Sequence, residues 1–540
     1  MAVPRHEINL PYKERLMLKH MFLACALAGS VAATSYAAQD SDDFGYKTRD
    51  VKHVLLISVD GMHAIDLTNY ISTHPDSTLA ELTHHGIVYD NNATSTPSDS
   101  FPGLAALLTG GSPTTTGFWY DVTWNRRLSP PAQTTPYGIP GSATACPNVQ
   151  GTQVGFDEEI DRDYTKLNGG GGINPKWLPR DPAHGCAPVY PHEYLRVNTI
   201  FEVAKSAGLY TAWSDKHPSY EWVNGPSGRG VDDFYAPEIN SIPVALPGIP
   251  GCDPLPDPAN ATPSNAWTDS IQNIQCYDTL KVNAILNEIA GRTHDGKSSA
   301  PVPAIFGMNF QSVSVGQKLK GNGYYDVTGT PSVGLESEFD FVDQSLGKMI
   351  SELKQRGLWD STVIIIGAKH GQSPIDVQKV TKIPGSTPQN IIGSAYAFDI
   401  SDDGSLIWLK DPSLIADVLS NLSTPAAQEQ LGVQEIFAGP SLRTRWNNPE
   451  TDDRTPDIIL KTNTGVIFTG GSKIAEHGGL NEDDYHTALL VSGAKIRHRV
   501  VKSPTTNQQV APTILELLGL NPDKLQAVQK EGTPVLPFVR

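Results

Sequence analysis

Residues 51–59 read Val-Lys-His-Val-Leu-Leu-Ile-Ser-Val and close on Asp60-Gly61. An almost unbroken apolar run of this length suits a parallel strand covered on both faces, and an acidic residue at its carboxyl end would face the ligand crevice of an open sheet. Similar runs return at 209–213, 304–309, 361–367, 457–460 and 488–492. Helical stretches are predicted between them, at 77–85, 103–109, 194–207, 337–356 and 511–518. In 337–356, Phe341, Leu346, Met349, Ile350 and Leu353 fall on one face. Strands alternating with helices predict a doubly wound, mostly parallel α/β sheet flanked by helices. Two stretches interrupt the alternation, at about 122–193 and 225–270, both rich in Pro and Gly. Aromatic and charged residues are mixed through them, so they read as ordered, loop-rich insertions. No internal repeat is visible.

Composition narrows the function classes. The chain has 540 residues, 41 Lys+Arg against 58 Asp+Glu and a formal net charge of −17. A single core stops growing near about 250–300 residues, so either two domains or one domain with large insertions is expected. The acidic balance repels phosphate backbones and anionic lipid heads, which argues against nucleic-acid binding through a basic surface.

Residues 1–37 have the order of a secretory signal. Lys13, Arg15 and Lys19 precede an apolar run at 21–33, and small residues lead to Ala37. The run is too short for a stable membrane span. Cleavage would leave residues 38–540 as one domain with a charge of −19, in a secreted or periplasmic location. Four cysteines would remain, Cys146, Cys186, Cys252 and Cys276, which an oxidising compartment could join in three ways. Pairing Cys146–Cys186 and Cys252–Cys276 is preferred, because each pair closes a Pro/Gly-rich loop.

Polar residues cluster where the apolar runs end: Asp60-Gly61, Lys369-His370-Gly371 and Glu476-His477-Gly478. Ser100, in Asp99-Ser100-Phe101-Pro102-Gly103, adds a hydroxyl at a predicted helix start, where backbone N–H groups stabilise an anion. Beside a metal or a cation, such a hydroxyl can attack phosphorus or sulfur. Lys216 and His217 follow the run at 209–213 and are expected to face the same crevice.

Taken in order, Ser58-Val59-Asp60-Gly61, Ser100-Phe101-Pro102-Gly103, Leu108-Thr109-Gly110, Tyr120-Asp121, His370-Gly371, His477-Gly478 and Ala511-Pro512-Thr513 resemble the type I phosphodiesterase/nucleotide pyrophosphatase branch of the alkaline phosphatase superfamily. The resemblance implies a hydrolase of phosphoric diesters or pyrophosphates acting on a small-molecule phosphoester. Ser100 matches the nucleophile, a position usually held by Thr. Asp60, His370 and His477 match ligands of a divalent metal, zinc in the family, present as one or two ions. Two ions would clamp the phosphoryl group at a spacing of about 3.5–4 Å.

Three departures from the pattern matter. Lys369 replaces a ligating Asp, Val313 and Gln317 replace an Asp and a His, and Gly117 replaces a phosphate-contacting Asn. Two complete zinc sites are therefore not expected. Lys369 either supplies catalytic positive charge or forms a structural salt bridge with Asp60. A single ion could be held by Asp60 and His370 with other oxygen donors, or by His477 with Asp483 or Asp484. Substrate contacts are expected from Lys216, His217, Asn309, Gln317 and Tyr120. A sulfate or phosphonate ester hydrolase, and a catalytically silent binding protein on the same fold, are the alternatives.

Overall fold

The run at 51–59 becomes strand β1 (His53–Val59), which lies inside an eight-stranded sheet. The computed structural model describes residues 50–257, 266–493 and 495–539; the signal sequence expected at 1–37 lies outside them. The other strands of this sheet are β2 (Gly86–Tyr89), β3 (Ala212–Ser214), β4 (Asp233–Tyr235), β5 (Ile305–Phe310), β6 (Thr362–Gly367), β7 (Leu490–Ser492) and β8 (Arg499–Val501). Their spatial order is β8-β2-β7-β6-β1-β5-β3-β4. Every pairing is parallel except the two made by β7, which runs antiparallel to both β6 and β2.

β1 is apolar from Val54 to Ile57 because both of its faces are covered. Leu55 and Ile57 join Phe306, Met308, Ile364 and Ile366 in a buried cluster with Leu335, Phe339, Leu346, Met349 and Leu353 of one long helix. Each fully buried aliphatic side chain contributes about 1.5–3 kcal/mol. Register then fixes the site: Ser58 stands opposite Asn309 of β5 and Gly367 of β6. Asp60, Gln311 and Lys369 therefore emerge at one carboxyl edge.

The structure departs from the sequence pattern in three places. The helix expected at 194–207 is split into Pro191–Tyr194 and Ile200–Ser206, because Thr199 and Glu202 form a capping box that starts the second piece anew. The run at 457–460 does not join the main sheet. It becomes Ile458–Thr462 in a separate four-stranded antiparallel sheet with Tyr396–Ser401, Gly404–Leu409 and Val433–Ala438, whose core includes Ile407, Leu409, Ile458 and Leu460. A 19-residue helix, Ile271–Ile289, follows the second insertion with no counterpart among the predicted elements.

Disulfides Cys146–Cys186 and Cys252–Cys276 staple the insertions in the preferred pairing. Among the described residues, no helix is long and apolar enough to cross a membrane.

Candidate active site

Ser100 opens helix α1 (Ser100–Thr109). Asp99 is the N-cap, and its Oδ2 accepts the Phe101 N–H at 3.0 Å. The helix sits unusually close to the end of β6: a Cβ on Gly103 would lie 1.9 Å from the Lys369 carbonyl oxygen, so only glycine permits this seating. Ser100 is buried, and Lys216 reaches in from the loop after β3 to donate its Nζ hydrogen to Ser100 Oγ at 2.9 Å.

Asp60 lies beneath, fully buried. Its Oδ1 accepts the Ser58 hydroxyl at 3.1 Å; its Oδ2 accepts Asn309 Nδ2 at 3.2 Å and Gln311 Nε2 at 2.5 Å. Burial alone would raise its pKa, but the Lys369 ammonium and His370 outweigh that and hold it below the usual carboxylate range. Lys369 is itself fully buried. Its Nζ donates to Asp215 Oδ1 at 2.8 Å, lies 3.7 Å from Asp60 Oδ2 and stands 4.4 Å from the centre of the Tyr220 ring. Of the two lysines, Lys216 touches Ser100, and Lys369 pairs with two buried carboxylates.

His370 and His477 stack with ring centres 3.9 Å apart. His370 Nδ1 donates to the Gly371 carbonyl at 2.8 Å and its Nε2 faces Asp60 Oδ2 at 3.8 Å. His477 Nδ1 accepts from Lys318 Nζ at 3.0 Å, which places the ring proton on Nε2, toward Asp99 Oδ1 at 3.6 Å. Burial lowers the pKa of both rings, with the Lys318 ammonium adding to the effect at His477, which falls to about 3. His477 is thus neutral in the fold and takes up a proton in the unfolded chain below its ordinary 6.5. Stability should fall as pH drops from 6.5 toward 3, and urea midpoints between pH 7 and pH 4 should fall less steeply in His477→Asn than in the wild type.

A two-metal centre does not fit these residues. The oxygens of Asp60 are already engaged by three neutral donors, and Lys369 approaches one of them. The His477 lone pair is taken by Lys318. Among the described residues, no three His, Cys, Asp or Glu donors converge in this crevice. The cage expected from Asp60, His370 and His477 is replaced by hydrogen bonds and ammonium groups.

The remaining predicted contacts divide. Asn309 belongs to the Asp60 network and also accepts from Lys281 Nζ at 3.0 Å. Tyr120 borders the site through its hydroxyl, which donates to Asp402 and lies 3.3 Å from the His477 carbonyl oxygen; a Cβ on Gly478 would come within 2.3 Å of that hydroxyl. Gln317 is buried away from Ser100, donating to the Gly61 carbonyl at 2.8 Å and to Tyr324 at 2.7 Å. His217 turns from the crevice to Glu238, 2.8 Å from Oε1. Gln311 and Lys318 were not singled out by the sequence patterns. Asp215, beside Lys216 after a strand, and Glu476, beside His477, carried the signal of their place.

An open sheet with Ser100 at a helix start over the carboxyl end of β1 defines an α/β protein of the alkaline phosphatase type. Solved structures agree on that fold. Alkaline phosphatase PafA superposes with a TM-score of 0.58 at 12% identity, covering 87% of this chain and 96% of that one. Murine ectonucleotide pyrophosphatase/phosphodiesterase 5 superposes with a TM-score of 0.52 at 14% identity, covering 87% and 95%. The sequence model of the type I phosphodiesterase/nucleotide pyrophosphatase family matches residues 54–137 and 306–486. Bis(5′-adenosyl)-triphosphatase enpp4 of Xenopus laevis is 23% identical over 185 residues, 33% of this chain. The Bos taurus ENPP4 protein is 23% identical over 189 residues, 34% of this chain. The chain matches 38% of the length of each of these two curated relatives. It belongs to the type I phosphodiesterase/nucleotide pyrophosphatase family.

Proposed function

We propose that this chain hydrolyses phosphoric diesters or pyrophosphates of small molecules in an exported location, with Ser100 as nucleophile and Lys216 as the cation that assists it. The observation that carries this reading is the 2.9 Å hydrogen bond from Lys216 Nζ to Ser100 Oγ at the first residue of α1. An ammonium in this position lowers the cost of forming the serine alkoxide and then faces a phosphoryl oxygen. Ser100 Oγ gives up its proton to water and forms a bond to phosphorus as the bond to the leaving oxygen breaks, the leaving oxygen taking up a proton from water; a second water then hydrolyses the phosphoseryl intermediate. Lys369 pairs with Asp60 and Asp215 in the floor of the site, and the two disulfides in the insertions suit an oxidising compartment.

Assays on bis-p-nitrophenyl phosphate, a dinucleoside polyphosphate and an aryl sulfate test the reading. Turnover of the first two over the sulfate is expected, and Lys216→Met should lower kcat by about 10²–10³-fold with the fold intact. Preferred turnover of the sulfate would favour a sulfatase, and no turnover of any of the three a silent binding protein.

A further inference from the structure

Outside the crevice, the two insertions and the loop after β3 bring together three residues far apart in sequence. Glu158 lies in a short turn of the first insertion, His217 adjoins Lys216, and Glu238 belongs to the second insertion. One donor atom from each lies within 4.8 Å of the others, and no other group of His, Cys, Asp or Glu among the described residues is so arranged. His217 Nδ1 is 2.8 and 2.9 Å from the two Glu238 oxygens.

A simple His217–Glu238 ion pair would account for those two distances, but it leaves Asp161 unexplained. Asp161 is fully buried against Glu238, and burial together with the Glu238 carboxylate raises its pKa to about 10, so that without a cation the two carboxyl groups share a proton. A cation bound to Glu238 displaces that proton and takes Asp161 as a partner.

We propose that Glu158, His217 and Glu238 bind one divalent transition-metal ion, with Asp161 completing its shell. An imidazole among carboxylates is the donor set of zinc or manganese; calcium and magnesium favour oxygen ligands alone. The ion lies away from Ser100 and has a positioning role. It ties both insertions to the segment carrying Lys216, whose carbonyl already accepts the Ile239 N–H at 3.0 Å. That consequence for Lys216 rests on its proposed role at Ser100; the site itself does not.

The test loads full-length protein with zinc, removes the excess, and measures zinc per chain and the thermal midpoint. One tightly held zinc per chain and a raised midpoint are expected for the wild type and for Asp60→Asn. Glu158→Gln and Glu238→Gln should bind at least about tenfold more weakly. Asp161→Asn separates a metal role from a folding role: without zinc it should melt close to the wild type, whose Asp161 is already held protonated against Glu238, yet gain less on adding zinc. Zinc retained equally by the Glu158→Gln and Glu238→Gln proteins, zinc lost only in Asp60→Asn, a preference for calcium, or no zinc bound by the wild type would each overturn the assignment. Activity reports separately on Lys216: zinc bound as expected with no loss of turnover in Lys216→Met would refute the catalytic role and leave the metal site standing.

Discussion

Ser100→Ala should abolish hydrolysis of bis-p-nitrophenyl phosphate, by about 10³-fold or more, while leaving the thermal midpoint nearly unchanged. The hydroxyl is the only atom lost. Asp99, not Ser100, caps α1, so the helix start survives. Gly103 still seats the helix against the Lys369 carbonyl, and Lys216 keeps access to solvent on one side. Ser100→Thr, which restores a hydroxyl of the kind usual in the family, should recover a large share of the activity. Acid-quenched protein should carry phosphate on residue 100 in the wild type and none in the alanine variant. Full activity in Ser100→Ala would remove the nucleophile from the proposal and send the search to another hydroxyl.

The second large effect concerns stability. Lys369→Met removes the one ammonium shared by Asp215 and Asp60, both fully buried. An uncompensated buried charge costs about 3–5 kcal/mol, a large share of the roughly 5–15 kcal/mol that holds most folded proteins together. Denaturant unfolding should show that loss, and Lys369→Met combined with Asp215→Asn should regain much of it. The pH dependence has a definite sign. The pKa of Asp60 is depressed in the fold, so its contribution is present above the unfolded carboxylate value, near 3.8, and is lost as pH falls below it. The wild type should therefore show a steeper acid loss than Lys369→Met, in which the depression is largely gone. An unchanged midpoint in Lys369→Met would show that Asp60 and Asp215 are accommodated by their other donors.

Much of this was legible because strand periodicity is local. The runs at 51–59, 304–309 and 361–367 became three adjacent strands, and the polar residues at their ends arrived at one edge. What could not be read was set by distant partners. The sheet spanning 396–462 joins a hairpin of Tyr396–Ser401 and Gly404–Leu409 to two strands reached by longer connections, so only the run at 457–460 stood out, without its sheet. Lys216 and Lys369 looked alike in sequence. Their roles separate only when Asp215 folds beneath Lys369 and leaves Lys216 facing Ser100. Glu158 and Glu238 carried no motif, because their nearness depends on the folding of two loops.

Asp60, Lys369 and Asp215 also bear on how this site can diverge. Each neutralises or is neutralised by another, and their places are set by the pairing of β1 with β5 and β6. Losing Lys369 alone strands two carboxylates inside the protein, whereas losing either aspartate leaves a Lys–Asp pair. Among relatives of this chain, a lysine at this position should travel with at least one of the two aspartates, and its absence with another cation in its place.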